Sequence, residues 1–395
     1  MNIYADNAAT TVVCQAAADA MLDTMKNYPG NPSSLYILGQ RAKEKLEDSR
    51  AQIAAMINAE PREIIFTSGG SESDNQALLS AAMIGKRKGK THIISSAFEH
   101  HAILHTLKKL EKNGFEVTLL PVHENGIVRV SELENALRDD TCLVTIMTAN
   151  NEIGTIQPIK EIGELCRSRG VLFHTDAVQA VGHIPIDVKE QSIDMLSASA
   201  HKFHGPRGTG FLYFRKGIVL SNLIEGGAQE RGKRAGTENL PAIAGMTAAL
   251  RESIDGMEKH NAHKTVIRDH LIEGLSRIPH SALNGDAESR LSGNVNFSFE
   301  GIEGESLLIL LDKKGISASS GSACTSGALD PSHVLLSIGR IHDVAHGSLR
   351  LSIGEDITME EADYIIGSVK EVVEYLRSFS PVWRDLMTGK REFIL

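Results

Sequence analysis

The sequence is poor in cysteine. Its 395 residues contain four, at positions 14, 142, 166 and 324, with no Cys-x-x-Cys pair. This argues against a disulfide framework and fits a reducing, cytoplasmic compartment. An excess of positive charge is missing as well, because the formal net charge is −9. Nucleic acid is therefore not expected as an obligate partner, since binding phosphates needs net or clustered positive charge. The one dense basic run, Lys86-Arg87-Lys88-Gly89-Lys90, reads as a solvated helix end. No apolar run approaches the roughly 20 residues that cross a bilayer. The opening MNIYADNAATT lacks a basic and an apolar leader region, so neither a membrane span nor a secretion signal is expected. What remains is an ordinary globular composition, 42% hydrophobic and 23% charged, in a chain long enough for two domains and a large core.

The most informative stretch runs from Val171 to Gly210. An apolar run, Val171-Leu172-Phe173, ends on His174-Thr175-Asp176. A second run, Met195 to Ala200, ends on His201-Lys202-Phe203-His204-Gly205-Pro206. Each short strand thus delivers one ionisable residue at its end, where open α/β sheets bind ligands. A lysine that condenses with the aldehyde of pyridoxal phosphate (PLP) needs a partner carboxylate to keep the pyridine nitrogen protonated. On the residues alone, Asp176 as a helix cap and Lys202 as a surface lysine remain open.

Further motifs lie around this stretch. Glu63–Thr67 reads as a buried strand, followed by Ser68-Gly69-Gly70-Ser71 and a helical run. A strand, a glycine turn and a helix start form an anion site, because free N–H groups and the positive end of the helix dipole face the ligand. Ser71 to Asp74 also reads as a capping box, and a cap alone would explain the turn. No Gly-Lys-Ser/Thr follows, so this is not a Walker A loop. Strands are expected at His92–Ser95, Phe115–Leu120, Cys142–Met147 and Asn294–Phe299, and a candidate strand at His346–Ser352 carries Arg350. Helices are expected at 12–25, 35–57, 131–137, 158–168, from Leu240 past Met257, and at 305–313. Cys142 and Cys166 lie in a strand and a helix, where thiols are usually inert core. Cys14, near a helix start, also reads as structural. Cys324 sits instead in Ser319-Ser320-Gly321-Ser322-Ala323-Cys324-Thr325-Ser326-Gly327, small and polar, as a mobile loop would be.

HTDAVQAVG followed by SASAHKFHGPRGTG resembles the PLP site of the NifS/IscS-like cysteine desulfurases, in the class V aminotransferase-like group of fold-type I PLP enzymes. Asn31-Pro32-Ser33-Ser34, Glu99-His100, Asn150-Asn151-Glu152-Ile153-Gly154, Arg234-Ala235-Gly236-Thr237 and Ser320-Gly321-Ser322-Ala323-Cys324 match the same family, so the resemblance covers nearly the whole chain. It implies an α/β fold: a large domain, 12–260, with a mainly parallel, seven-stranded type of sheet flanked by helices. A smaller α+β domain, 261–395, would carry the Cys324 loop, with residues 1–11 packed on it.

The resemblance also implies roles. Gly70 and Ser71 would cradle the cofactor phosphate together with Ser199 and His201. His100 would stack on the pyridine ring and move protons. Asp176 would meet the ring nitrogen and Gln179 the phenolic oxygen. Asn151 would bond near that oxygen and the substrate carboxylate, and Lys202 would be the Schiff-base lysine. Thr237 would reach the phosphate in the partner's site, which makes a homodimer part of the expectation. Arg350 would hold the amino-acid α-carboxylate. Cys324 would take sulfur from L-cysteine as a persulfide, leave alanine, and pass the sulfur to an acceptor such as an iron–sulfur scaffold. No resident metal is expected, beyond a transient contact of Cys324 with an iron–sulfur cluster. The loop from Cys324 to Ser332 resembles the longer version of the NifS/IscS branch. Two other readings stay open: a selenocysteine lyase or another class V PLP enzyme, and a non-catalytic sulfur-carrying platform. The intact Lys202, Asp176 and His100 set opposes the platform.

Overall fold

The computed structural model describes residues 2–320 and 331–395. Among these, the strands are β1 (Ile3–Tyr4), β2 (Ile64–Thr67), β3 (His92–Ser96), β4 (Glu116–Leu120), β5 (Thr141–Thr145), β6 (Leu172–Asp176), β7 (Met195–Ser199), β8 (Gly210–Phe214), β9 (Ser281–Leu283), β10 (Asn294–Phe299), β11 (Ile316–Ser317) and β12 (Ser348–Ser352). Seven form one sheet in the order β2-β8-β7-β6-β5-β3-β4. All its neighbours are parallel except at β8, which runs against both β2 and β7. The other six strands therefore point the same way, and their carboxyl ends share one edge.

Helices cover both faces of this sheet, so the central strands are buried along their whole length. Successive strand residues alternate between faces. Ile64 and Phe66 enter one core cluster and Ile65 the other; likewise Leu196 enters the first and Met195 the second. A third cluster forms around the antiparallel sheet β12-β10-β9 and the helices Met257–Ser276 and Met359–Phe379. Ile3 and Ala5 are buried in this third cluster, and β1 pairs with β11.

Two expected helices differ in the structure. The first begins at Gln15, not Val12. Thr11 N donates to His201 O and Cys14 N to His204 O, both at 2.9 Å. These bonds hold the chain extended past residue 12. The helix expected from Leu240 past Met257 is two helices, Leu240–Asp255 and Met257–Ser276, with Gly256 ending one and starting the next. The break re-aims the chain. Leu240, Ile243 and Leu250 join the core cluster that includes Ile64 and Phe66 of the large sheet, whereas Ile267, Leu271 and Leu275 pack on the small sheet.

Candidate active site

The shared strand edge gathers most of the expected residues. Asp176 ends β6 and Ser199 ends β7, which runs into a 3₁₀ turn, Ala200–Lys202. From β2 the chain passes through Gly69 into the helix Gly70–Arg87, and from β3 it reaches His100, which caps the helix His101–Glu111. Gly69 has φ 149°, a conformation that favours glycine. A Cβ on Gly69 would lie 3.4 Å from Ser199 Oγ, and one on Gly70 would lie 2.5 Å from Val178 Cγ2. The 18-residue helix thus presents its unbonded first N–H groups in a cradle that a side chain would fill.

The capping box expected at Ser71–Asp74 is absent. The cap residue is Gly69, Ser71 lies exposed inside the first turn, and Ser71 O accepts from Asn75 Nδ2. Glu72 supplies the acid at this end, accepting from Ser68 N at 2.8 Å and pairing with Arg234 at 2.9 Å. Asp74 is buried beneath the sheet edge instead.

Asp74, His100 and Asp176 each bring a ligand atom within 4.8 Å of the others. Burial raises both carboxyls above the usual range, Asp74 strongly and further through the neighbouring Asp176 charge. His100 whenever its ring is charged, the Val178 N–H and Lys202 pull Asp176 back down. Two carboxyls this close in a buried site do not both ionise readily. Burial and the Asp176 charge both favour the protonated form of Asp74, whereas the cationic neighbours of Asp176 favour its charged form. Burial lowers His174, just below, to about 3, so its ring is neutral; it bonds Thr145 Oγ1 at 2.9 Å and Ser197 Oγ at 3.0 Å. His100 Nδ1 accepts from Ala102 N at 3.1 Å, which puts the proton of the neutral ring on Nε2. The trio is spaced as a cation requires. The Asp176 carboxylate equally suits the N–H of a protonated ring nitrogen, and Lys202 helps keep that carboxyl charged.

A segment that sequence reasoning treated only as a polar turn closes this edge. Lys202 Nζ donates to Ala8 O at 2.5 Å and Ala9 O at 2.9 Å. Gln179 Nε2 donates to Ala8 O at 2.9 Å, and His201 Nδ1 lies 3.2 Å from Thr10 Oγ1. Burial lowers His201 to about 4, with Lys202 and Arg207 adding to the shift. Arg350, in β12, donates from Nη2 to Asp6 Oδ1 at 2.7 Å and from Nη1 to Asn151 O at 3.2 Å. Asn151 and Arg350 are thus brought together, while Thr237 stands exposed before the helix Leu240–Asp255. Cys324 lies outside the described residues.

Glu99 was missed as well. It is fully buried, and burial raises it to about 8; Oε1 accepts from Ser96 Oγ and Met147 N. Its backbone oxygen bonds His333, and Glu152, raised by burial to about 7, accepts from Ser332 Oγ. Asp74 and Glu99 lie inside motifs, Ser71–Asn75 and Glu99-His100, that drew attention for their neighbours.

The structure agrees with comparisons to known proteins. The aminotransferase class-V model matches residues 3–365. A cysteine desulfurase IscS of Clostridium botulinum is 52% identical over 393 residues, 99% of each chain. One from Methanosarcina thermophila is 53% identical over 380 residues, 96% of this chain and 94% of the relative. The solved structure of a NifS-like protein superposes with a TM-score of 0.89 at 36% identity, covering 95% of this chain and all of that one. The chain belongs to the class-V aminotransferase family, in its cysteine desulfurase branch. The cofactor of that branch is pyridoxal phosphate. The glycine cradle at a helix start, the buried carboxylate and the adjacent lysine fit it.

Proposed function

We propose that the chain removes sulfur from L-cysteine, giving L-alanine and a persulfide on Cys324. The observation that carries this reading is the meeting of Asp176, His100 and Lys202 at one sheet edge with Arg350 reaching in from the smaller sheet. Bound pyridoxal phosphate supplies an electron sink for charge developing at the substrate α-carbon.

The residues would divide the work as follows. Gly70, Ser71, Ser199 and His201 would hold the phosphate, and Asp176 would keep the ring nitrogen protonated. Gln179 and Asn151 would bond the phenolic oxygen. Arg350 would fix the substrate by its α-carboxylate. Lys202 Nζ would take the α-proton, and His100 Nε2 would move protons between the ring face and the substrate. The Cys324 thiolate would form an S–S bond to the substrate sulfur while the Cβ–S bond breaks, its electron pair staying on carbon. The persulfide sulfur would then pass to an acceptor, such as an iron–sulfur scaffold.

The family's dimeric habit suits this chain. Leu35 is 92% exposed, and Tyr36, Ile37, Val219, Leu223 and Ile224 are exposed too. A second copy covering this apolar surface would bring Thr237 to the partner's phosphate. The separate core clusters support a domain boundary near residue 260, with the N-terminal residues packed on the smaller domain and Val334, Leu335, Ile338 and Ala345 returning to the larger core. No helix among the described residues is long and apolar enough to cross a membrane, and the cysteine usage supports a cytoplasmic location.

The test measures alanine and sulfide formed from L-cysteine, with pyridoxal phosphate and a reductant, in the unaltered protein and Cys324→Ala. An active protein and a dead, cofactor-loaded variant are expected. Full activity in the variant would replace the persulfide route with a lyase route.

A further inference from the structure

Arg350 is 4% exposed in its side chain, and Asp6 is 21% exposed. Asp6 takes only Nη2, and the backbone of Asn151 takes Nη1. Nε is buried and makes no hydrogen bond among the described residues. Asp6 is held in place through its neighbours: it bridges to Ser352, and Asn7 N donates to Ser352 O at 3.0 Å. Two residues further on, the same segment supplies the carbonyl oxygens that hold Lys202. One short stretch therefore touches both the arginine and the lysine assigned to the reaction.

We propose that Asp6 is a counter-charge, which weakens the grip of Arg350 on the amino-acid α-carboxylate so that product can leave. The proposal rests on the reading of Arg350 given above. A bare buried guanidinium would bind any α-carboxylate tightly, and L-alanine carries the same one as L-cysteine. Binding that is equally strong for substrate and product lowers KM without raising kcat. With Asp6 in place, an arriving carboxylate meets a charge-compensated guanidinium whose Nη2 is already engaged. A bidentate grip, through Nε and Nη2 or through Nη1 and Nη2, has to share Nη2 with Asp6 or displace it. Asp6 is exposed enough to turn to water. An amine without a carboxylate, such as cysteamine, cannot make the exchange.

Asp6→Asn keeps the accepting oxygen and removes the charge. Binding of L-alanine to the holoenzyme is read from the visible spectrum, without turnover, alongside KM and kcat for L-cysteine. The alanine dissociation constant and KM should both fall about three- to fivefold, and Asp6→Glu should restore them. Arg350→Gln is the control. If that variant binds alanine as the unaltered protein does, the assignment of Arg350 itself is wrong. If it binds weakly while Asp6→Asn binds no more tightly than the unaltered protein, the counter-charge idea alone is overturned.

Discussion

Replacing Arg50 by Met should destabilise the protein around the seven-stranded sheet by an amount that depends steeply on pH. Arg50 and Glu230 form a two-pronged pair, Nη1–Oε2 at 2.7 Å and Nη2–Oε1 at 2.8 Å, with both side chains 2% exposed. Phe66 N also donates to Glu230 Oε2, and the guanidinium lies 4.6 Å from the Phe66 ring centroid. The pair pins the glycine-rich segment that leads to Thr237 onto the edge strand β2. Without Arg50, the Glu230 carboxylate keeps one backbone donor in a buried site. Breaking a buried pair from one side costs about 3–5 kcal/mol. Glu230 can escape by taking up a proton. Relative to an ordinary carboxyl with a pKa of about 4.3, that route limits the charge-burial part of the cost to about 4 kcal/mol at pH 7 and about 1 kcal/mol at pH 5. Glu230→Gln leaves Arg50 with Ile64 O and Glu47, so its cost should sit at the lower end of the range. The double variant should cost much less than the sum of the singles. Urea unfolding followed by far-ultraviolet circular dichroism is the assay. The single tryptophan, Trp383, packs against Gly301 beside the three-stranded sheet and would report on that region instead. A penalty for Arg50→Met below about 1 kcal/mol at pH 7, or equal at pH 5 and pH 7, would refute the reasoning.

Glu99 is raised to about 8 by burial, so its stabilising effect is complete below its unfolded pKa and is lost as pH rises through about 8. Glu99→Gln should remove a loss of up to about 1.4 kcal/mol per pH unit in that window, and an unchanged unfolding slope in the variant would rule it out. Gly70→Ala puts a methyl group 2.5 Å from Val178 Cγ2. Overpacking of about 1–3 kcal/mol should lower pyridoxal phosphate affinity at least about fivefold; equilibrium dialysis showing equal affinity would remove Gly70 from the cradle. Lys202→Arg keeps a cation beside Asp176 but cannot condense with an aldehyde. The visible band of the bound cofactor should vanish, and its survival would deny Lys202 its role.

Local chemistry made much of the fold legible. Cys142–Met147 reads as a buried strand because nearly every residue there is apolar or β-branched, as a strand covered on both faces needs, and the strand formed is Thr141–Thr145. Asp176 and Lys202 stand out because each follows such a run, and the sheet places strand ends on one edge. The capping box failed for a local reason too. Ser71 and Asp74 have the spacing, but Gly69 alone adopts φ 149° at the turn, so the helix starts one residue before Ser71.

What stayed hidden depends on distance along the chain. Arg50 meets Glu230 across 180 positions, and Asp6 meets Arg350 across 344. No window of sequence carries a period that links such partners, because the link is made by the sheet order and by β1 pairing with β11. The spacing rule also explains which residues were misjudged. Asp6 opens a run of small polar residues that reads as a turn, and its neighbours give no reason for a carboxylate there. Once β12 brings Arg350 beside it, the acid has a partner with 4% exposure, and a turn residue becomes one half of a largely buried ion pair.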